Sequence, residues 1–254
     1  MFPAERRRVL LDAVLRTGAA SLRDLCRLTD ASEVTVRRDL QGLERDGLIV
    51  RSRGGALAPT SEVPEPSYSA KTSVAAAEKA AIAQRAAGLI RDGDSVVIGA
   101  GSTTQLLARA IATRRDLTVV TNSVLVAEVL AAAPDVEVTM TGGHLRGATF
   151  SLIGAAAESS LAAIRADRAF LSGNGLTVER GLSTPHPGVA SMDRALAAAA
   201  PEVVVLADHT KIGVDALVQT VAPEHISTLV TDAGTDARQL AALRAAGIDV
   251  LVAA

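Results

Sequence analysis

Two groups of residues in this 254-residue chain have the types and spacing to do chemistry. The first is the stretch Ser32-Glu33-Val34-Thr35-Val36-Arg37-Arg38-Asp39-Leu40-Gln41. Wound as a helix at about 100° per residue, it stacks Val36, Leu40 and Leu43 on one side. Val34, Arg38 and Gln41 fall on the other, flanked by Thr35 and Arg37, and Ser32 stands where a helix N-cap belongs. Arginine pairs bidentately with guanine, glutamine with adenine, and hydroxyls reach phosphates or base edges, so this face could read a major groove. Arg51 and Arg53 follow in a basic, Gly-rich segment suited to phosphate or minor-groove contact. Paired arginines alone favour the plainer reading of a solvated amphipathic helix. The neighbouring short helix, turn and basic hairpin reverse that preference.

The second group lies at the ends of apolar runs. Gly101-Ser102-Thr103-Thr104 opens a helical pattern after a strand-like run, where backbone N–H groups and hydroxyls suit a phosphate. Asn122-Ser123, Gly142-Gly143, Asn174 within Ser172-Gly173-Asn174-Gly175, Asp208-His209-Thr210-Lys211, and Asp232-Ala233-Gly234 occupy equivalent places. Ligands of open α/β sheets bind beyond the carboxyl ends of strands, so these segments would line one small-molecule crevice. Ordinary turn chemistry also uses Gly, Asn and Asp, and is the alternative. Neither nucleotide fingerprint is complete: the Gly-Lys-Ser/Thr ending of a P-loop is absent, and Thr104 breaks the third glycine of GxGxxG. Lys211 is one of three lysines beside 23 arginines, and could pair with a phosphate or with Asp208. His144 and His209 are candidate site residues. No Ser-His-Asp arrangement is readable, so no catalytic residue is assigned and no cofactor is expected.

Composition narrows the function classes. The chain is 48% hydrophobic and 21% charged, as a folded protein should be. Aromatics are 2% of residues, Phe2, Tyr68, Phe150 and Phe170, which disfavours stacking of single-stranded bases. The single cysteine, Cys26, excludes an intrachain disulfide framework and a multi-cysteine metal site; it reads as a packing residue. The four histidines, 144, 186, 209 and 225, have no metal-ligand spacing, so no metal is expected. Asp12 and Arg16 interrupt the apolar run after Arg6-Arg7-Arg8, so no leader is expected. No stretch of 18 apolar residues suggests a membrane span, and the expected location is the cytoplasm.

The elements that must position these residues follow from periodicity. Leu10, Leu11, Val14 and Leu15 mark a first helix that Gly18 should stop. Ser21 can cap a second helix carrying Leu22, Leu25, Cys26 and Leu28. Thr29-Asp30-Ala31 is a short turn before a third helix, Glu33 to about Glu44. Gly47 precedes two short strands around Gly54-Gly55. These elements make a winged helix-turn-helix. The three prolines of 58–67 suggest a linker. Beyond it, strands are expected at 95–98, 117–121, 136–141, 168–171, 203–207, 229–231 and 250–252, with helical patterns between most of them. Val- and Ile-rich strands alternating with helices imply a mostly parallel sheet buried on both faces. The expected domains are therefore 1–57, a linker over 58–74, and an α/β domain over 75–254.

The formal net charge of −2, averaged over the chain, argues against nucleic acid as a partner. Divided at the linker, it argues the opposite. Residues 1–57 hold 11 Arg and 8 acids, a net of +3, while the remainder holds 15 basic and 20 acidic residues, a net of −5. Salt sensitivity of any DNA complex should then reside in the first 57 residues.

These residues carry a resemblance. Ser32 to Leu40, Leu43-Glu44-Arg45-Asp46-Gly47-Leu48-Ile49 and Arg53-Gly54-Gly55-Ala56 closely resemble the N-terminal pattern of DeoR-family transcriptional regulators. The similarity continues through Glu78-Lys79, Gly101 to Thr104, Thr121-Asn122-Ser123, Gly142 to Arg146, and Leu206 to Gly213. It implies a winged helix-turn-helix joined to a sensor domain of ribose-phosphate isomerase-like fold. Its expected partners are double-stranded operator DNA, a phosphorylated sugar as effector, and further copies of the chain in a homodimer or homotetramer. Asn174 to Leu176 and Gly181 to Pro185 look nearest the fructose-type branch. Departures from the family pattern also stand out. Gly99 replaces an Asp before the phosphate loop, Val189 and Asp193 replace a Glu and a Lys, and His186 replaces an Asp. An altered effector, weakened sugar-phosphate binding, or none is therefore expected. A sugar-phosphate isomerase-like enzyme and an effector-independent regulator remain the alternatives.

Overall fold

The computed structural model describes residues 3–17, 19–45, 49–52, 54–57 and 68–253. The chain divides into two compact units, residues 1–66 and 67–254.

The first unit contains α1 (Pro3–Thr17), β1 (Ala19–Ser21), α2 (Leu22–Thr29), α3 (Glu33–Arg45), β2 (Val50–Ser52) and β3 (Gly55–Leu57). Apolar residues spaced three and four apart on each helix converge on one core, with Leu10, Val14, Leu25, Val36, Leu40 and Leu43 buried together. Local chemistry sets the helix ends. The Ser21 hydroxyl accepts from the Asp24 N–H at 3.2 Å, starting α2. Asp30, in the left-handed region at φ 49°, closes α2 by donating its N–H to the Cys26 carbonyl. Cys26 is half-buried against the same core, and burial pushes its thiol pKa up.

The wing differs from the expected two strands. The three residues of β1 add a third, giving the antiparallel order β1-β3-β2. Ala19-Ala20-Ser21 is too short to show an alternating pattern, so the sequence carries no strand signal there. Gly55 is required at this join, because a Cβ there would lie 2.0 Å from the Ala20 carbonyl oxygen. Gly18, Gly47, Leu48 and Arg53 lie outside the described residues.

The second unit begins with α4 (Tyr68–Ser73), so the segment expected as linker over 58–74 includes a helix of this unit. The Tyr68 N–H donates to the Ala148 carbonyl at 2.9 Å, and its ring meets Phe150 edge-on at 5.7 Å. α5 (Ala76–Ala87), β4 (Ser95–Ile98), α6 (Ser102–Ile111), β5 (Leu117–Thr121), α7 (Val124–Leu130) and β6 (Val136–Met140) follow. Then come β7 (His144–Arg146), β8 (Ser151–Ile153), α8 (Ala155–Ser160), β9 (Arg168–Leu171), β10 (Gly175–Thr177) and β11 (Gly181–Thr184). The chain closes with α9 (Pro187–Ala198), β12 (Glu202–Leu206), β13 (Val218–Val221), β14 (Thr228–Asp232), α10 (Ala237–Ala245) and β15 (Asp249–Ala253).

Seven strands form one sheet in the order β15-β14-β12-β9-β4-β5-β6, and every neighbouring pair is parallel. The strand alternation splits the core cleanly. Val97, Ala169, Leu171, Val203 and Val205 face a layer that includes Met192 and Leu196 of α9 and Leu243 of α10. Val96, Ile98, Phe170, Val204 and Leu206 face α5, α6 and α7 through Ile82, Leu107 and Val126. Burial on both faces explains why these strands read as unbroken apolar runs. The antiparallel pair β7-β8 and the small sheet β10-β11-β13 were not expected. Strands of three or four residues are too short to show an alternating pattern in a sequence.

Candidate functional site

On α3, the inward and outward stripes lie where the periodicity puts them. Val36, Leu40 and Leu43 are buried, while Val34, Arg37, Arg38 and Gln41 are exposed. The Ser32 hydroxyl accepts from the Thr35 N–H at 3.3 Å and lies 2.9 Å from the Thr35 hydroxyl, so it starts the helix. Arg37 Nη2 is 3.3 Å from Glu33 Oε2, one turn earlier, with both side chains exposed. Such a surface pair holds the guanidinium weakly and releases it readily to a phosphate or base. Arg38 makes no ion pair among the described residues, so its five donors are available. Arg51 lies in β2, where its backbone pairs with Ala56. Its side chain, like the whole of Arg53, lies outside what is described.

One residue of this stretch has a role that its sequence context conceals. Asp39 is buried, with its carboxylate 2.6 Å from Arg6 Nε and 3.2 Å from Arg7 Nε. It fixes α1 across the back of α3 and thereby sets how α3 presents its outer face. The readable signal is position: Asp39 stands three residues after Val36 and four before Leu43, on the core side of the wheel.

In the second unit, the all-parallel register brings the carboxyl ends of the main strands to one edge. The order reverses at β4, from which β5 and β6 lie to one side and β9, β12, β14 and β15 to the other. The loops after β4 and β9 meet at this switch point, where ligand crevices of open sheets form. Their approach is close, because a Cβ on Gly101 would lie 2.1 Å from Ser172 Oγ. Ser102, Thr103 and Thr104 are buried in the first turn of α6, and the Thr104 hydroxyl donates to the Gly101 carbonyl at 3.0 Å.

Several candidate side chains in this region shape the loops. Asn122 Oδ1 accepts from the Ala100 N–H at 3.0 Å, and its Nδ2 donates to the Leu152 carbonyl at 3.1 Å. It therefore ties the β4 loop to β8. The Ser123 hydroxyl caps α7, accepting from the Val126 N–H at 3.2 Å. Asn174 Oδ1 accepts from the Thr184 hydroxyl at 3.2 Å. Gly142 and Gly143, at φ 67° and 101°, carry the chain from β6 into β7. His144 is exposed on β7.

The departure positions also have places. At Gly99, a Cβ would lie 2.8 Å from Leu171 Cδ2, so apolar side chains occupy the space an Asp would need. His186 caps α9, its Nδ1 accepting from the Val189 N–H at 3.3 Å. Val189 is half-buried and Asp193 is buried on the same helix.

At the end of β12, Asp208 is buried and accepts from the Thr210 N–H at 3.0 Å and from the Thr210 hydroxyl. Its other oxygen, Oδ2, faces Lys79 Nζ at 3.8 Å. Lys79, on α5, is itself buried and donates to the carbonyls of Lys71 at 2.5 Å and Val74 at 2.6 Å. Burial pulls its pKa below the ordinary lysine value, opposed by the Asp208 charge and reinforced by Lys211 and Lys71. All three lysines of the chain thus act on one locality. Lys79 was missed as a site residue, although it shares a helical stripe with Ile82, Ala83 and Ala86, where a charge is out of place. On the neighbouring strand end, Asp232 receives the His209 N–H at 2.7 Å and lies 2.9 Å from His209 Nδ1.

Among the described residues, no cluster of three or more His, Cys, Asp or Glu side chains could hold a metal ion. No helix of the described residues is long and apolar enough to cross a membrane.

A helix-turn-helix with an outward basic stripe, on one chain with a parallel α/β domain, defines a transcriptional regulator. Comparison with known proteins agrees. Residues 6–62 match the DeoR-like helix-turn-helix domain and residues 74–233 match the DeoR C terminal sensor domain. The chain is 38% identical over 251 residues to the HTH-type transcriptional regulator GlpR of Haloferax volcanii, covering 99% of this chain and 98% of that protein. It is 33% identical over 232 residues to the HTH-type transcriptional repressor GlcR of Bacillus subtilis, covering 91% and 89%. Ribose 5-phosphate isomerase from Methanocaldococcus jannaschii superposes with a TM-score of 0.41 at 19% identity, over 54% of this chain and 55% of that one, too slight a likeness to bear on activity. The chain belongs to the DeoR family of transcriptional regulators and is not an enzyme.

Proposed function

We propose that this protein is a cytoplasmic repressor of a sugar-metabolism operon. Val34, Thr35, Arg37, Arg38 and Gln41 read operator bases, Ser32 sets the helix start, and Arg51 and Arg53 hold the wing on the backbone. The observation that carries this reading is the exposed, uncommitted Arg38–Gln41 stripe directly opposite the buried Val36–Leu40–Leu43 stripe. A homodimer or homotetramer places two such helices on repeated half-sites.

The effector is a phosphorylated sugar or related metabolite in the crevice at the strand ends. Gly101 to Thr104 supply N–H groups and hydroxyls for the phosphate, and Lys211 supplies a positive charge beside Asp208. Asn122, Ser123, Gly142, Gly143 and Asn174 shape the walls. The apolar filling at Gly99 supports an effector set altered from the family's usual one.

Calorimetric titration of the full chain with a panel of sugar phosphates tests this. The expected outcome is weak or no heat from common family ligands such as fructose phosphates, and saturable binding of another phosphorylated metabolite. Saturable micromolar binding of a common family ligand would overturn the altered site.

A further inference from the structure

We propose that Val34 is a specificity-determining residue that reads the 5-methyl group of a thymine in the operator major groove. This deepens the α3 reading and rests on it. Val34 is 78% exposed, the most exposed large hydrophobic side chain among the described residues. It is the second residue of α3, and recognition helices present their N-terminal residues to base edges. At about 100° per residue, Arg37 falls to one side of Val34 and Arg38 to the other, with Gln41 two turns on along the same line. An apolar side chain thus stands at the centre of the polar reading face.

The chemistry of the groove supplies a matching group. Of the four bases, only thymine presents a methyl group there; the others present hydrogen-bonding atoms. Valine is suited to it, because β-branching leaves one strongly preferred side-chain rotamer in a helix. Its two methyl groups are held in place before DNA arrives, so little side-chain freedom is lost on contact. Val36, two residues on, is fully buried, so the core takes its own valine and has no claim on Val34.

The experiment uses the full chain and a duplex that the protein has itself selected from a random pool at fixed salt. Each thymine is replaced in turn by deoxyuridine, which deletes the methyl and keeps every hydrogen-bonding group. Affinity is measured for the unaltered protein, Val34→Ala and Arg38→Ala. At one thymine of each half-site, the replacement should weaken the unaltered protein about fourfold, the effect of one buried methyl-sized group. The same replacement should leave Val34→Ala unaffected. The proposal is overturned if no thymine shows the effect, or if the effect persists in Val34→Ala. It is also overturned if Val34→Ala changes only the oligomer mass in light scattering, since the side chain would then cover another copy. Failure of the underlying α3 reading looks different: Arg38→Ala would bind as well as the unaltered protein.

Discussion

Arg38→Ala should abolish specific operator binding while the protein stays folded. The guanidinium is exposed and makes no ion pair among the described residues, so its removal strands no buried group. A bidentate arginine–guanine contact is worth about 1–3 kcal/mol of discrimination, or roughly 5- to 150-fold, and the proposed homo-oligomer on two half-sites would lose it twice. Circular dichroism and the melting temperature should be unchanged. The check is a gel-shift titration at controlled salt, because phosphate contacts alone sustain weak non-specific binding. Normal binding by the variant would show that the reading face lies elsewhere.

Lys79→Met should strongly destabilise the second unit. The substitution keeps the length of the side chain and removes its charge. It leaves the Asp208 carboxylate buried without its cation, and the carbonyls of Lys71 and Val74 without their donor. Removing one partner of a buried pair costs about 3–5 kcal/mol, whereas replacing both partners is often near neutral. Lys79→Met combined with Asp208→Asn should therefore recover part of the loss, measured by urea unfolding. An additive double variant would show that the two groups are not coupled.

The same pair predicts a pH dependence. Burial lowers the Lys79 pKa in the folded protein, while the unfolded chain has the ordinary lysine value of about 10.4. Between the two, the unfolded chain binds more protons, so this group makes stability rise with pH through that window. The contribution should be absent from Lys79→Met, and a difference between the two proteins that falls with pH there would contradict the assignment.

How much of this was legible in the sequence depends on the kind of signal. Val36, Leu40 and Leu43 give α3 its buried side, and that placement also fixes Arg38 and Gln41 outside. The Val-rich runs of β4, β5 and β12 declare a doubly covered sheet. By contrast, β1, β7 and β10 are three-residue strands too short to show an alternating pattern, whether the partner is distant, as β3 is for β1, or the next strand, as for β7 and β10. Asn122 and Ser123 are recognisable as strand-end polar residues. Which of their atoms the loops already use depends on Ala100, Leu152 and Val126, contacts that no spacing reveals. Asp39 and Lys79 are hidden differently. Each is one charge among many in composition, and only its place on an apolar helical stripe marks it as buried. The whole-chain charge misled for a related reason, since the average cancels a basic reader against an acidic body.

The most direct measurement is fluorescence anisotropy of the full chain on a labelled duplex that it has selected, against a scrambled duplex, with and without sugar phosphates. The selected duplex should bind at least about 10³-fold more tightly than the scrambled one. Rising salt should weaken both complexes, and one phosphorylated metabolite should release the specific one. Equal affinity for the two duplexes would contradict a sequence-reading α3.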